Sequence, residues 1–112
     1  MVIEQLDEDF WITKENMNEL CKEARIPNEE QAVSEYFAQH GWYVLYENGE
    51  VTSIEGIYER NQSRKFLEEI AGYVNDESYI DFVDEEKRII RYLFDCGDMF
   101  VYYGIVQWAP FW

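Results

Sequence analysis

Trp42-Tyr43-Val44-Leu45-Tyr46-Glu47-Asn48-Gly49-Glu50-Val51-Thr52-Ser53-Ile54 is the stretch on which the fold turns, because hydrophobic periodicity changes there from that of helices to that of strands. Two β-forming runs flank Asn48-Gly49, the strongest short-range hairpin signal, since both residues tolerate positive φ. The stretch predicts a β-hairpin with a tight two-residue turn that sets Tyr46 in register with Val51.

Upstream, the period is helical. After Thr13, a plausible N-cap, Met17, Leu20, Cys21 and Ala24 form the i, i+3, i+4, i+7 stripe of an amphipathic helix that Pro27 ends. Asn28 is expected to cap a second helix, with Gln31 in the capping-box position. Val33, Tyr36, Phe37 and His40 form its inward stripe, and Gly41 terminates it. Downstream, a third helix follows Ser63 and lays Phe66, Leu67, Ile70, Ala71 and Val74 along one side. Strands are then expected over 79–83, 88–94 and 99–108, joined by Asp84-Glu85-Glu86-Lys87 and Asp95-Cys96-Gly97-Asp98, both with turn chemistry. Ile90, Tyr92 and Phe94 alternate with Ile89, Arg91 and Leu93. Both faces of that strand are thus partly apolar, and the second is expected to be covered in part.

This order gives a single α+β domain over 1–112: two N-terminal helices, a β-hairpin, a third helix and a three-stranded antiparallel meander. The expected architecture is a mainly antiparallel sheet of about five strands with helices packed on it. Leu20, Phe37, Phe66, Ile70, Ile90 and Leu93 are expected to share its core. In outline the order resembles the cone-shaped fold of the nuclear-transport-factor-2-like families, and that resemblance implies an internal pocket.

Charge is the best clue to partners. Asp and Glu total 24 against 9 Lys and Arg, for a formal net charge of −15 on 112 residues. A field of that sign repels nucleic acid and anionic membrane and attracts basic proteins. The chain also holds 4 Trp, 9 Tyr and 7 Phe, which argues against a disordered acidic tail. The start lacks the basic and apolar regions of a secretory signal, and no stretch nears the roughly 18 apolar residues of a membrane helix, so a cytoplasmic protein is expected.

Motifs with a dedicated chemistry are missing. His40 is the single histidine, read as partly buried or capping, and no nucleophile elbow accompanies it. Glycines occur singly, without a phosphate-binding loop. Cys21, on a helix face, and Cys96, in a turn, are expected to be reduced. The acidic runs lack the ligand pattern of a calcium loop. No enzyme activity, metal or cofactor is expected.

The reading that follows is a small acidic binding protein, an inhibitor or immunity-type DNA mimic that occupies a basic nucleic-acid-binding surface of a nuclease or of restriction or CRISPR machinery. The carboxylates assigned to that contact are Asp7, Glu8, Asp9, Glu29, Glu30, Asp84, Glu85 and Glu86, with Tyr102 and Trp108 as aromatic anchors. The terminal Trp108-Ala109-Pro110-Phe111-Trp112 is expected to be tucked against the domain or bound by a partner. Three alternatives stand beside this reading: acidity that only maintains solubility, a sensing domain with an aromatic-lined pocket, and a module that forms homodimers through an aromatic sheet face or strand edge.

Overall fold

The structure, a computed structural model, describes residues 4–57, 62–84 and 86–105. Asn48 and Gly49 both take positive φ, 52° and 86°, the backbone of a primed turn whose twist suits a hairpin. β2 (Trp42–Glu47) and β3 (Glu50–Gly56) pair antiparallel with Tyr46 opposite Val51. A bulge at Thr52 then places Leu45 opposite Ser53.

Helix α1 (Lys14–Ala24) starts at Thr13, whose hydroxyl accepts the Asn16 N–H at 3.2 Å. It stops before Pro27, because Arg25 turns left-handed and the Ile26 N–H reaches back to the Cys21 carbonyl at 3.0 Å. Helix α2 (Glu30–Ala38) departs from the expected cap: Glu29 is its N-cap and makes no side-chain bond. Asn28 is engaged elsewhere. Its amide donates to Asn18 Oδ1 at 2.8 Å and to the Gly49 carbonyl at 3.2 Å, while its two oxygens accept the Tyr46 hydroxyl. This one side chain joins α1, the entry to α2 and the hairpin turn, and Gln31 bonds Glu35 instead of closing a capping box. Helix α3 (Arg64–Ile70), capped by Ser63, continues as a 3₁₀ turn over Ala71–Tyr73.

The meander forms as β4 (Tyr79–Val83), β5 (Arg88–Asp95) and β6 (Asp98–Ile105). Two features correct the single sheet of about five strands. Residues Glu4–Asp9 form a further strand, β1, antiparallel to β4, so one sheet runs β1-β4-β5-β6 and the hairpin is a separate two-stranded sheet. The two sheets meet through side chains rather than a backbone ladder. The Gln5 amide donates to the Ile54 carbonyl at 2.9 Å and accepts the Gly56 N–H at 3.0 Å, and one bridge links Ile12 to Val51. Leu6 bulges between Gln5 and Asp7, which interrupts any regular edge there.

The space between helices and sheets is filled by Phe10, Phe37, Trp42 and Phe94, all fully buried. Leu20, Phe37, Phe66 and Ile70 join this core and Ile90 packs on its margin. Leu93 does not belong to it. Register explains why: Ile80, Phe82, Ile90, Tyr92 and Phe94 share the helix-facing side, whereas Leu93 pairs with Tyr79 and Phe100 on the other. The described helices all pack on the first side, so the cover expected for the second is not supplied by them. Among the described residues no helix is long and apolar enough to cross a membrane.

Candidate functional site

The second side of the four-stranded sheet carries a network of charged and aromatic side chains. Antiparallel pairs share a face, so register assigns to it Asp7 and Asp9 from β1, Tyr79 and Asp81 from β4, Arg91 and Leu93 from β5, and Phe100 and Tyr102 from β6. By the same register Glu4 lies at one end, and Asp95 and Asp98 lie at the other. Phe100 is 44% exposed and Tyr102 53%.

A side-chain network fixes the centre of this face. Asp7 stands directly opposite Asp81, a like-charged pair that is unfavourable unless each carboxylate has a partner. Arg91 grips Asp81 with two bonds of 2.7 and 2.8 Å, and its guanidinium lies 4.3 Å from the centre of the Tyr79 ring. The Tyr79 hydroxyl donates to Asp7 Oδ2 at 3.0 Å. That hydrogen bond, with some burial and the carboxylate charges, raises the Tyr79 phenol above its ordinary range. The Asp81 hydrogen bonds likewise raise Arg91. Arg91 is therefore neutralised by its own sheet, and Asp7 and Asp9 remain exposed beside an apolar strip of Leu93, Phe100 and Tyr102.

Three of the assigned residues thus come together here: Asp7, Asp9 and Tyr102. Glu8 turns the other way, toward β3, where it accepts the Ser53 hydroxyl at 2.5 Å; its second oxygen is buried without a partner. It joins the two sheets, away from the open face that holds Asp7 and Asp9. Glu29 and Glu30 are exposed at the start of α2, on a different element. Asp84 is buried and fully engaged: one oxygen accepts the Glu86 and Arg88 N–H groups, and the other accepts Arg88 Nε at 2.8 Å. These bonds, led by the Arg88 N–H, hold its carboxyl below the usual range against the opposing effect of burial. Asp84 therefore shapes the β4–β5 turn, with both oxygens bonded inside it. Glu86 stays exposed beside Arg88 at 3.3 Å. Glu85, Trp108 and the terminal aromatic run lie outside the described residues.

The sequence does not by itself assemble Tyr79, Asp81, Arg91 and Phe100 into a shared face: their period-2 spacing is visible, but the partner strand β1 is not, and β1 supplies half of the acids. His40 is half-buried and stacks on Phe66 with 4.0 Å between ring centres, as a packing residue. Cys21 is buried and Cys96 exposed, both free, and burial pushes the Cys21 thiol up. Asp76, Asp95 and Cys96 bring ligand-type atoms within 4.8 Å of one another, yet Asp76 Oδ1 already accepts the Cys96 N–H at 2.9 Å, so the group reads as a turn. A groove of about 340 Å³ between β1 and β3, lined by Leu6, Asp7, Glu8, Ser53 and Glu55, is open and polar.

Comparison with known proteins gives no matching family, no matching curated protein and no matching solved structure. The fold and the face define the chain physically, as an α+β domain that presents one polyanionic, aromatic-bearing sheet surface.

Proposed function

We propose that this chain is a small non-enzymatic binding protein that uses the open sheet face to occupy a basic, nucleic-acid-binding surface of another protein. The observation that carries the reading is the make-up of that face. Six carboxylates, Glu4, Asp7, Asp9, Asp81, Asp95 and Asp98, stand on it against one guanidinium, which is already paired. Residues two apart on one strand face are about 7 Å apart, twice the axial rise per charge along one DNA strand. Asp7 and Asp9 can therefore meet cationic side chains that normally grip phosphates. Steering by the net charge speeds encounter, and Phe100 and Tyr102 supply the desolvated contacts that slow departure. Nucleases and the DNA-binding parts of restriction and CRISPR machinery carry surfaces of the matching sign. The open, polar β1–β3 groove offers little to an apolar ligand, which needs an enclosed apolar pocket.

The test is capture of partners from the native host on immobilised wild type, followed by binding kinetics with the captured protein. Asp7→Asn with Asp9→Asn should slow association and flatten its salt dependence, and Phe100→Ala should raise the dissociation rate. Duplex DNA should compete for the same partner. Unchanged kinetics for both variants, or a partner that binds DNA and this chain at once, would sink the reading.

A further inference from the structure

We infer that the β6 edge pairs with the β6 edge of a second copy of this chain. Among the described residues β6 has a strand neighbour on one side alone, and none of them pairs with its outer row of N–H and C=O groups, the kind of edge that accepts strand addition. The usual defences are missing along it. Residues 99–105 read Met-Phe-Val-Tyr-Tyr-Gly-Ile, with no charge and no proline, and the β5–β6 ladder runs from Asp98 to Ile105 without a bulge. The opposite edge contrasts with this. β1 is bulged, acidic and bridged to β3 by Gln5.

A second observation is the exposure on both sides of the strand. Phe100 and Tyr102 lie on the open face, while Tyr103 lies on the helix side opposite Ile90 and is still 65% exposed. An added strand would give each of these rings a neighbour about 4.5–5.5 Å away between Cβ atoms.

Charge placement selects a second copy as the occupant. The first 56 residues hold 13 acidic and 3 basic side chains, a balance of −10, and the remaining 56 hold 11 and 6, a balance of −5. β1, from the more acidic half, lies three strand spacings from β6, about 14 Å. Antiparallel β6–β6 pairing about a twofold axis through the seam keeps both β1 edges at the far ends of the joined sheet. The seam itself brings uncharged residues together, whereas a basic strand would find no carboxylate along 99–105. Because that axis is perpendicular to the sheet, the open faces of the two copies lie on the same side. Pairing would thus create one continuous surface with two acidic ends, independent of whether that surface binds a basic protein.

Residual repulsion between two −15 chains gives the proposal a distinctive signature. Self-association should strengthen with salt, since screening weakens the repulsion and leaves strand pairing intact, whereas binding to a basic partner should weaken. Sedimentation of the full chain should show a monomer–dimer equilibrium whose dissociation constant falls at least about threefold between about 0.05 and 0.5 M salt. Phe100→Lys with Tyr103→Lys should abolish the dimer. Should that variant fail to fold, hydrogen exchange on the wild type decides: amides of residues 98–105 should gain protection as concentration rises while those of β1 do not. A chain that stays monomeric at high concentration and high salt, a dimer that strengthens at low salt, or protection that appears in β1 instead would overturn the inference.

Discussion

Gly49 gives the sharpest test of how the hairpin is built. Its φ is +86°, and a Cβ placed there would stand 2.9 Å from Lys14 Cγ and 3.2 Å from Lys14 Cδ. Two costs follow for Gly49→Ala. An L-residue in the left-handed region costs about 1–2 kcal/mol, and displacing the Lys14 stem off its rotamer costs about 0.5–1.5 kcal/mol. Against these, alanine restricts the unfolded chain and returns about 0.4–1 kcal/mol. The net loss should be roughly 1–2 kcal/mol for alanine, and larger for Gly49→Val, whose branched Cβ resists positive φ. For a domain of this size that corresponds to a Tm decrease on the order of 5–10 °C. Urea denaturation should show the loss in the midpoint with the slope unchanged. A cycle with Lys14→Ala separates the two costs, because that background removes the side-chain collision and keeps the backbone strain. A Gly49→Ala midpoint equal to wild type would refute the turn argument. An equal loss in both Lys14 backgrounds would refute the collision while sparing the turn.

Further outcomes follow from burial and ionisation. Leu20→Ala and Ile70→Ala, at positions 3% and 2% exposed, should each cost about 2–5 kcal/mol; Leu93→Ala, outside the core, should cost clearly less in the same urea series. The Asp84 carboxyl is held below its ordinary range in the folded state. Its stabilising contribution is therefore complete above the unfolded carboxylate pKa and lost as pH falls through the folded one. Asp84→Asn should lower stability at neutral pH and flatten the acid limb of a stability–pH profile, and a parallel downward shift at all pH values would contradict the assignment. Neutralising Asp7 and Asp9 should leave the urea midpoint near wild type while altering association with a basic partner, and the β6–β6 dimer should respond to salt in the opposite sense.

Legibility in the sequence tracked how local each interaction is. Thr13 and Ser63 cap helices through bonds to residues three positions on, and Asn48-Gly49 closes a turn whose geometry lies within the dipeptide itself. Such features need no knowledge of the rest of the chain, and the turn chemistry on either side of 88–94 is local in the same way. Asn28 shows where this stops: its local role as a cap lost to bonds with Asn18, Gly49 and Tyr46, residues far along the chain.

β1 is the clearest case of structure decided by tertiary pairing. Glu4-Gln5-Leu6-Asp7-Glu8-Asp9 has poor strand propensity and no apolar alternation, and it is a strand because β4, whose Tyr79 pairs with Asp9 and whose Val83 pairs with Glu4, offers it a ladder far along the chain. That pairing sorts the acidic run residue by residue, turning Asp7 and Asp9 to the open face and Glu8 toward Ser53. It also brings Asp7 to Tyr79 and, through Tyr79, to Arg91 and Asp81. Net charge, the Thr13 and Ser63 caps, the hairpin and the meander were properties of the sequence by itself, because they depend on composition or on neighbours a few residues apart. Which carboxylates share a face, which are consumed by internal bonds and which strand edge has no partner among the described residues were decided only by long-range register, since a one-residue shift in pairing would reverse every side chain of β1.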